Sequence, residues 1–353
     1  MELYSSGFFL FIGGFMALKM FNALLPYFGS KRKLCSIIFK IISKYYHRND
    51  WFNMTFVDAF MGSGAVSLFA KAQGFKVIAN DIAERSYIAG KALIENNRIE
   101  IDHTDTENLF RNHPNNNHYI EENYVPDVFL EKHAKFLDNA FSNADDFLLK
   151  YLLIKYIFTL RPYSKFSSPN AFNKPMAEGR YDEIKSTYTN HINGNLKSSV
   201  TILREEKDKI NSGIFTNNEK NEMHKEDVFD FLRKVNGDVL YLDPPYAGTL
   251  AYENEYAVLD DILGDKTPKS GFSEKEGMYM LDSLFDESEK FPLWVISFGN
   301  AGGNNKLEDL VKLVSKYRKC EVKEFAYKHC ESVASEEHKQ KSKEWVVIGH
   351  GCN

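Results

Sequence analysis

Residues 238–246 of the chain are DVLYLDPPY. The apolar run Asp238–Leu242 is typical of a buried strand, and Pro-Pro ends it. The polar group Asp243–Tyr246 therefore follows the carboxyl end of a strand, where open α/β sheets bind their ligands. Taken alone, these four residues are also compatible with a plain Pro-Pro turn after a strand, so the interpretation depends on the rest of the chain.

A second pattern of strand and turn lies upstream. Thr55–Ala59 (TFVDA) is a short apolar run that enters a glycine-containing turn, Phe60–Gly64, and a helix-compatible stretch, Ala65–Ala72, follows. Another strand is predicted over Phe75–Ala79, just before Asp81. Strand, glycine turn, helix, strand and acid follow one another in the order of a βαβ unit, which predicts an α/β fold.

The glycine turn is a candidate cofactor loop. Its glycines allow a ligand to approach the backbone closely, although a tight turn without any ligand has the same sequence. Asp81 strengthens the ligand interpretation, because an acid about 20 residues further on can bind both hydroxyls of a ribose. The pyrophosphate pattern GxGxxG is absent, since Ser67 stands at its last position. The pattern favours an adenosine-containing cofactor without phosphates.

The α/β pattern is interrupted in the middle of the chain. Asp145–Leu160 (DDFLLKYLLIKYIFTL) predicts a strong helix, and residues 183–212 are helical and polar. We therefore predict a catalytic domain over 20–99 and 221–353, split by a mainly helical insertion over 100–220. The other predicted elements are strands at 292–298, 320–327 and 344–349 and helices at 31–46, 84–97, 273–289 and 305–316.

Composition limits the class of protein. The net charge of −5 argues weakly against nucleic acid as a partner, but local basic groups remain candidates, among them Lys31-Arg32-Lys33. The four cysteines are scattered, so we predict no disulfide framework, no metal site and a reducing cytoplasm. The apolar segment 1–19 contains an uncharged run of 14 residues, Ser5–Leu18, too short to span a bilayer. A misassigned start before Met20, a packed extra segment and a membrane anchor are its three interpretations.

Asp243–Tyr246 suits one particular chemistry. An adenine amino nitrogen is a poor nucleophile, because its lone pair is delocalised into the ring. The Asp243 carboxylate and the Pro244 carbonyl can accept hydrogen bonds from that nitrogen, and Pro245 helps to hold the carbonyl rigidly. The ring of Tyr246 offers a face on which a flat base can stack. A plain Pro-Pro turn requires neither the aspartate nor the tyrosine.

With these residues the chain resembles the Dam-like (D12 class) DNA adenine-N6 methyltransferases. Four blocks match in order: Pro26–Leu34 (PYFGSKRKL), Asp58–Gly64 (DAFMGSG), Asn80-Asp81 and Asp243–Tyr246 (DPPY). The resemblance implies a Rossmann-like methyltransferase fold with an inserted target-recognition domain. It also implies S-adenosyl-L-methionine as cofactor and methylation of adenine N6 in duplex DNA by base flipping and direct in-line transfer.

The resemblance also implies roles for single residues. Asp243, Pro244, Pro245 and Tyr246 would be catalytic, and Lys31 would bind the cofactor carboxylate. The cofactor pocket would be formed by Tyr27, Lys31, Asp58, Phe60, Gly62, Gly64, Asp81, Asp227 and Asp243. For Asp227, a plain helix N-cap before Phe229 is an alternative.

The expected DNA contacts lie in the insertion. Ala171–Pro175 (AFNKP) matches in outline an FNxP-type segment of the family's recognition region, whereas the preceding RPYSKFSSPN departs from it. DNA contacts are implied for Arg161, Lys165, Asn173, Lys174 and Arg180, with a solvated loop face as the alternative interpretation.

Rival functions remain open from the sequence. These are adenine methylation of RNA, a non-catalytic DNA-binding role on the same fold and, with less support, methylation of a small molecule. A companion restriction endonuclease, as in a restriction-modification system, is a candidate partner, and a solitary or phage-borne methylase is the alternative. We expect a monomer or weak dimer that does not associate with membranes.

Overall fold

The computed structural model describes residues 19–27, 29–160, 172–245, 255–273, 277–299, 306–326 and 343–352. The strands are β1 (Thr55–Asp58), β2 (Lys76–Asn80), β3 (Glu222–His224), β4 (Val239–Leu242), β5 (Leu293–Gly299), β6 (Arg318–Ala326) and β7 (Lys343–Cys352). The α-helices are Cys35–Ile42, Ala65–Ala72, Glu84–Gly90, His103–Asn108, Tyr119–Tyr124, Glu131–Asn143, Phe147–Leu160, Lys174–Ala177, Thr189–Leu196, Ser199–Asn211, Val228–Lys234, Ala257–Ile262, Gly277–Glu287 and Leu307–Val314. A π-helical turn, Lys91–Glu95, continues the helix Glu84–Gly90.

The strands form one mixed sheet in the order β3-β2-β1-β4-β5-β7-β6. The first five strands are parallel, and β7 runs antiparallel to both β5 and β6. From β1, strands β2 and β3 follow on one side and β4 and β5 on the other. The switch point, where open α/β sheets bind ligands, therefore lies between β1 and β4. The carboxyl ends of β1, β2 and β4 therefore meet at one edge of the sheet.

The central strands are largely apolar segments, and their side chains are buried. All four residues of β4 and all seven of β5 are buried, as expected for parallel strands covered on both faces. One face packs with helices Val228–Lys234 and Gly277–Glu287, where Phe231, Leu284 and Trp294 are fully buried. At about 25 cal/mol for each Å² of buried apolar surface, the burial of large apolar side chains here stabilises the sheet.

The chain packs as two compact units. Of the described residues, the helical unit comprises 19–25, 83–160, 172–215 and 255–267, and the sheet unit comprises 26–27, 29–82, 216–245, 268–273, 277–299, 306–326 and 343–352. Phe147–Leu160 is the central helix of the helical unit and is buried along nearly all of its length.

The packing differs from the sequence-based division at two places. Glu84–Gly90, expected in the catalytic domain, packs against Phe147–Leu160 of the helical unit. Ala257–Ile262 also belongs to the helical unit, where Asp260 forms a buried ion pair with Arg85. The ranges 20–99, 100–220 and 221–353 remain predictions for the functional domains.

The fold class predicted from the sequence is confirmed, and local errors have clear causes. Strand β3 was not predicted, because it is only three residues long and two of them are polar. His103–Asn108 and Tyr119–Tyr124 form helices inside a stretch without visible periodicity, each too short for a hydrophobic repeat to show. The predicted helix over 31–46 is shorter in the structure, Cys35–Ile42.

The N-terminal segment predicted over 1–19 lies outside the described residues except for Lys19. Among the helices of the described part of the chain, none is long and apolar enough to cross a membrane.

Candidate active site at the carboxyl edge of the sheet

The glycine turn after β1 is shaped by left-handed backbone. Gly62 has φ +54° and Gly64 has φ +76°, conformations that glycine adopts at little cost. The Gly62 N–H donates to Asp81 Oδ2 at 2.7 Å, so the acid after β2 holds the turn after β1. A Cβ at Gly62 would lie 3.7 Å from the ring of Tyr27. The structure thus brings together Tyr27, Gly62 and Asp81, three residues that the sequence assigned to the cofactor.

Asp58 lies at the end of β1 and is buried. Ser67, on the helix after the turn, donates to Asp58 Oδ2 at 2.6 Å. Burial, opposed by the Ser67 hydrogen bond and helped by the negative charge of Asp243, raises the pKa of Asp58 to about 7. Ser67, the residue that breaks the pyrophosphate pattern, therefore has a clear role as the partner of Asp58.

Asp243 follows β4 and shares a lysine with a second carboxylate. The Lys31 Nζ lies 3.1 Å from Asp243 Oδ1 and 3.0 Å from Glu344 Oε1. The side chains of Lys31, Asp243 and Glu344 are 6%, 19% and 0% exposed, so Asp243 is the most accessible of the three. We call these residues the carboxylate–lysine triad. Lys31, expected at the cofactor carboxylate, thus has two carboxylate partners within the protein.

The reversal of β7 explains how Glu344 reaches this site. Glu344 is near the start of β7 and pairs with Gly299, the last residue of β5. Because β7 is antiparallel, its beginning lies at the edge where the parallel strands end. Glu344 was not among the site residues predicted from the sequence. The available signal was a glutamate at the entrance of an otherwise apolar strand, WVVIG, where a buried charge is costly.

Pro244 and Pro245 follow Asp243 just after the end of β4. Pro244 is buried and Pro245 is partly buried, and neither has a backbone N–H to donate. The Pro244 carbonyl therefore belongs to a segment of restricted φ immediately after the Asp243 carboxylate. Tyr246, predicted to stack on the base, lies outside the described residues.

Phe60 and Asp227 complete the set of predicted cofactor residues. Phe60 packs edge-on against Phe272, with ring centroids 5.4 Å apart. Asp227 accepts from the Phe229 N–H at 2.9 Å and is the N-cap of Val228–Lys234, as its alternative interpretation predicted. The Asn80 side chain donates to the carbonyl of Glu226 at 3.1 Å and accepts from its N–H at 3.0 Å, which ties the residue before Asp227 to the end of β2.

The residues predicted to contact DNA have diverse environments within the helical unit. Asn173 is buried, and its amide donates to the Asp127 carbonyl. Lys174 is exposed, whereas Arg180 forms ion pairs with Glu178, at 2.6 Å, and with Glu183. Arg161 and Lys165 lie outside the described residues.

The group Lys31-Arg32-Lys33 is a candidate for a local basic face, and the structure describes the pairing of its first member. Lys31 is 6% exposed and paired with carboxylates, so its charge is not available at the surface. Among the described residues, no group of three or more His, Cys, Asp or Glu side chains could hold a metal ion.

Comparisons with known proteins show what the chain is similar to. The family of D12 class N6 adenine-specific DNA methyltransferases matches residues 27–276. The chain is 28% identical over 310 residues to the Type II methyltransferase M2.HphI of Haemophilus parahaemolyticus, covering 83% of this chain and 90% of that one. It is 25% identical over 331 residues to the Type II methyltransferase M.CviAII of Paramecium bursaria Chlorella virus 1, covering 84% and 90%. It is 23% identical over 321 residues to the Modification methylase LlaI of Lactococcus lactis subsp. lactis, covering 83% of this chain and 49% of that protein.

Proposed function

The chain belongs to the D12 class N6 adenine-specific DNA methyltransferase family, and from this premise we propose how its residues methylate adenine at a specific site in DNA. The observation that carries the proposal is the placement of Asp243 and Pro244 directly after β4, beside the strand whose glycine turn is held by Asp81. An acceptor pair for the target amino group and a candidate cofactor loop thus share one edge of the sheet.

The residues at the turn fit the methyl donor of this family, S-adenosylmethionine. Gly62 and Gly64 let a ligand approach the backbone, and Asp81 provides a carboxylate for the ribose hydroxyls while one of its oxygens holds Gly62. Tyr27 lies against the same turn and places an aromatic ring beside it. When bound, the cofactor supplies a methyl group on a sulfonium that leaves as a neutral thioether.

Asp243 activates the nucleophile. With Oδ1 on Lys31, its other oxygen accepts a hydrogen bond from the N6 amino group of a flipped adenine, and the Pro244 carbonyl accepts the second N–H. These acceptors draw the nitrogen lone pair out of the ring conjugation as the N–C bond forms and the sulfonium C–S bond breaks. One N–H proton then leaves the methylated nitrogen, first to Asp243 and afterwards to solvent. Tyr246 supplies the stacking face.

The helical unit reads the DNA in this proposal. Lys174, the exposed member of its predicted contacts, binds the phosphate backbone, and Arg180 reaches DNA by exchanging its carboxylate partners for phosphate. Asn173 supports the segment from inside through its bond to the Asp127 carbonyl. The acidic total charge implies that non-specific binding is modest and weakens steeply with salt.

We further propose that the chain acts beside a restriction endonuclease of the same specificity, because the relatives it matches are named as type II methyltransferases and a modification methylase. Plasmid DNA from cells that express the protein should then resist one particular endonuclease. A solitary methylase would also protect DNA at its site, so the genes next to this one must be tested for matching cleavage.

Transfer of a labelled methyl group from S-adenosylmethionine to unmethylated duplex DNA, followed by nucleoside analysis, tests the function directly. We expect the label in N6-methyladenine. Label in structured RNA and not in DNA would favour the RNA alternative. Cofactor binding without label in any nucleic acid would favour a non-catalytic DNA-binding role.

A further inference from the structure

Glu344 is a fully buried carboxylate at the site, and nothing in the chemistry above uses it directly. Its relative exposure is 0%, and the Lys31 ammonium lies 3.0 Å from its Oε1. Removing a carboxylate from water costs several kcal/mol even when a partner is present, and an apolar pair of similar volume often serves stability equally well. A buried charge next to the reacting groups therefore calls for a reason beyond stability.

The backbone of Glu344 is held by neighbouring strands on both sides. It lies in the backbone ladder between β5 and β6, paired with Gly299 on one side and Phe325 on the other. Lys31, by contrast, precedes the helix Cys35–Ile42 and carries a long, flexible side chain. The ammonium is therefore located by Glu344 on the rigid sheet, and Asp243 is located by the ammonium.

The triad also has an electrostatic consequence. Two carboxylates share one ammonium, so its members together carry a charge of about −1 when all three are ionised. If Lys31 were paired with Asp243 alone, its charge would weaken Asp243 as an acceptor for the amino group. Because Glu344 takes part of the interaction with the ammonium, Asp243 is held in place and yet keeps negative charge for the substrate.

We propose that Glu344 is a positioning residue for methyl transfer: through Lys31 it fixes the orientation of Asp243 and preserves its strength as an acceptor. This inference rests on the proposed role of Asp243 and extends it to a residue on the reversed strand. Glu344 itself touches neither the substrate nor the methyl donor in this proposal.

The test compares Glu344→Gln with a matched control, Glu206→Gln. Glu206 is also a buried glutamate paired with a buried lysine, Lys155, at 3.2 Å, but it belongs to the helical unit. Single-turnover rates at saturating S-adenosylmethionine and DNA, normalised to folded protein, should fall about 100-fold for Glu344→Gln, since small misplacements of a reacting group cost that much. The same rates should stay within about twofold for Glu206→Gln, as for a structural pair that takes no part in the proposed chemistry.

Binding measurements separate positioning from loss of structure. The dissociation constants for cofactor and DNA should change less than about threefold in Glu344→Gln, because an interaction realised in the transition state affects the rate and not ground-state binding. Glu344→Asp keeps the charge and should recover part of the lost rate. A Glu344→Gln enzyme with the wild-type single-turnover rate would overturn the proposal.

A double variant keeps the test decisive if Glu344→Gln does not fold. Lys31→Met combined with Glu344→Gln removes both buried charges, so no unpaired ion remains inside. Its transfer rate should be about 100-fold below that of the wild type, because Asp243 then has no ammonium to hold it in place. A wild-type rate in the double variant would refute the idea. Absence of transfer in the wild-type enzyme would instead refute the proposed function, so the two failures can be told apart.

Discussion

Each unit of the molecule contains a buried lysine paired with a buried glutamate, and the two lysines differ in their other contacts. In the helical unit, the Lys155 Nζ lies 3.2 Å from Glu206 and donates to the carbonyls of Asn22, Ala23 and Leu24 at 2.9, 3.2 and 3.4 Å. In the sheet unit, the second partner of Lys31 is Asp243, which is 19% exposed. The Lys155 pair ties chain segments together, whereas the Lys31 pair holds a carboxylate that can meet a substrate.

A buried histidine in the helical unit and a buried aspartate in the sheet unit also differ in their partners and in the direction of their pKa shifts. In the helical unit, His133 donates from Nε2 to the Asn195 carbonyl and accepts at Nδ1 from the Tyr156 hydroxyl, and burial lowers its pKa to about 4. In the sheet unit, burial and the nearby charge of Asp243 together raise the pKa of Asp58 to about 7. The difference teaches that burial alone does not mark a catalytic group, and that the partners of the group decide its role.

The largest expected effect comes from removing the group that meets the substrate. Asp243→Ala should lower the single-turnover rate at least about 1,000-fold, because it deletes a preorganised acceptor of the transition state. Folding should be largely intact, since Lys31 retains Glu344 as its partner. Thermal unfolding and cofactor binding serve as controls. Full activity in this variant would contradict the assignment of Asp243.

The structural pair should show the opposite profile. Glu206→Gln leaves Lys155 buried without its carboxylate and also weakens the bonds that Glu206 accepts from Thr159, at 3.2 Å, and Lys209, at 2.5 Å. We expect a loss of about 3 kcal/mol in the free energy of unfolding, as for other broken buried pairs. Urea unfolding measures it. A large loss of transfer rate in the folded fraction would show that the two pairs are not as different as their contacts indicate.

Local and non-local features of the molecule also differ in how far the sequence could predict them. Gly62, Asp81 and Asp243 follow strands whose apolar runs are visible locally, so their common edge follows from the rules for parallel sheets. The Lys31–Glu344 contact depends on the reversal of β7 and on the order of seven strands, which no local pattern contains. The burial of Asn173 likewise depends on a carbonyl supplied by Asp127, far away in the chain. The placement of these three residues at one edge was therefore predictable, and the non-local contacts of Lys31 and Asn173 were not.

The raised pKa of Asp58 predicts that the stability of the folded protein depends on pH. This pKa is raised from 3.8 to about 7 in the folded protein, so between these values the folded state binds more protons than the unfolded state. Stability should therefore fall as pH rises from about 4 to 7, by up to roughly 4 kcal/mol for a shift of this size.

The Asp58→Asn variant isolates this contribution. Its free energy of unfolding, relative to that of the wild type, should increase between pH 5 and pH 8. His133→Gln is the opposing control from the helical unit, since its lowered pKa makes the wild type lose stability as pH falls below about 6.5. A pH-independent difference between Asp58→Asn and the wild type would show that Asp58 is ionised at no extra cost.

The smallest effect is expected at Asp81, where one carboxylate has two tasks. Its Oδ2 already accepts from the Gly62 N–H, and the other task assigned to the side chain is binding the cofactor ribose. Asp81→Asn keeps an acceptor for Gly62 but loses the charge, and should weaken S-adenosylmethionine binding about 10-fold, the lower end for hydrogen bonds to a charged group. Asp81→Ala should weaken it further, because the turn also loses its anchor. Calorimetry measures both constants, and the transfer rate at saturating cofactor should change little. Equal binding by Asp81→Asn and the wild type would limit Asp81 to shaping the turn, which would make it a structural residue like Glu206 and not a ligand-binding one.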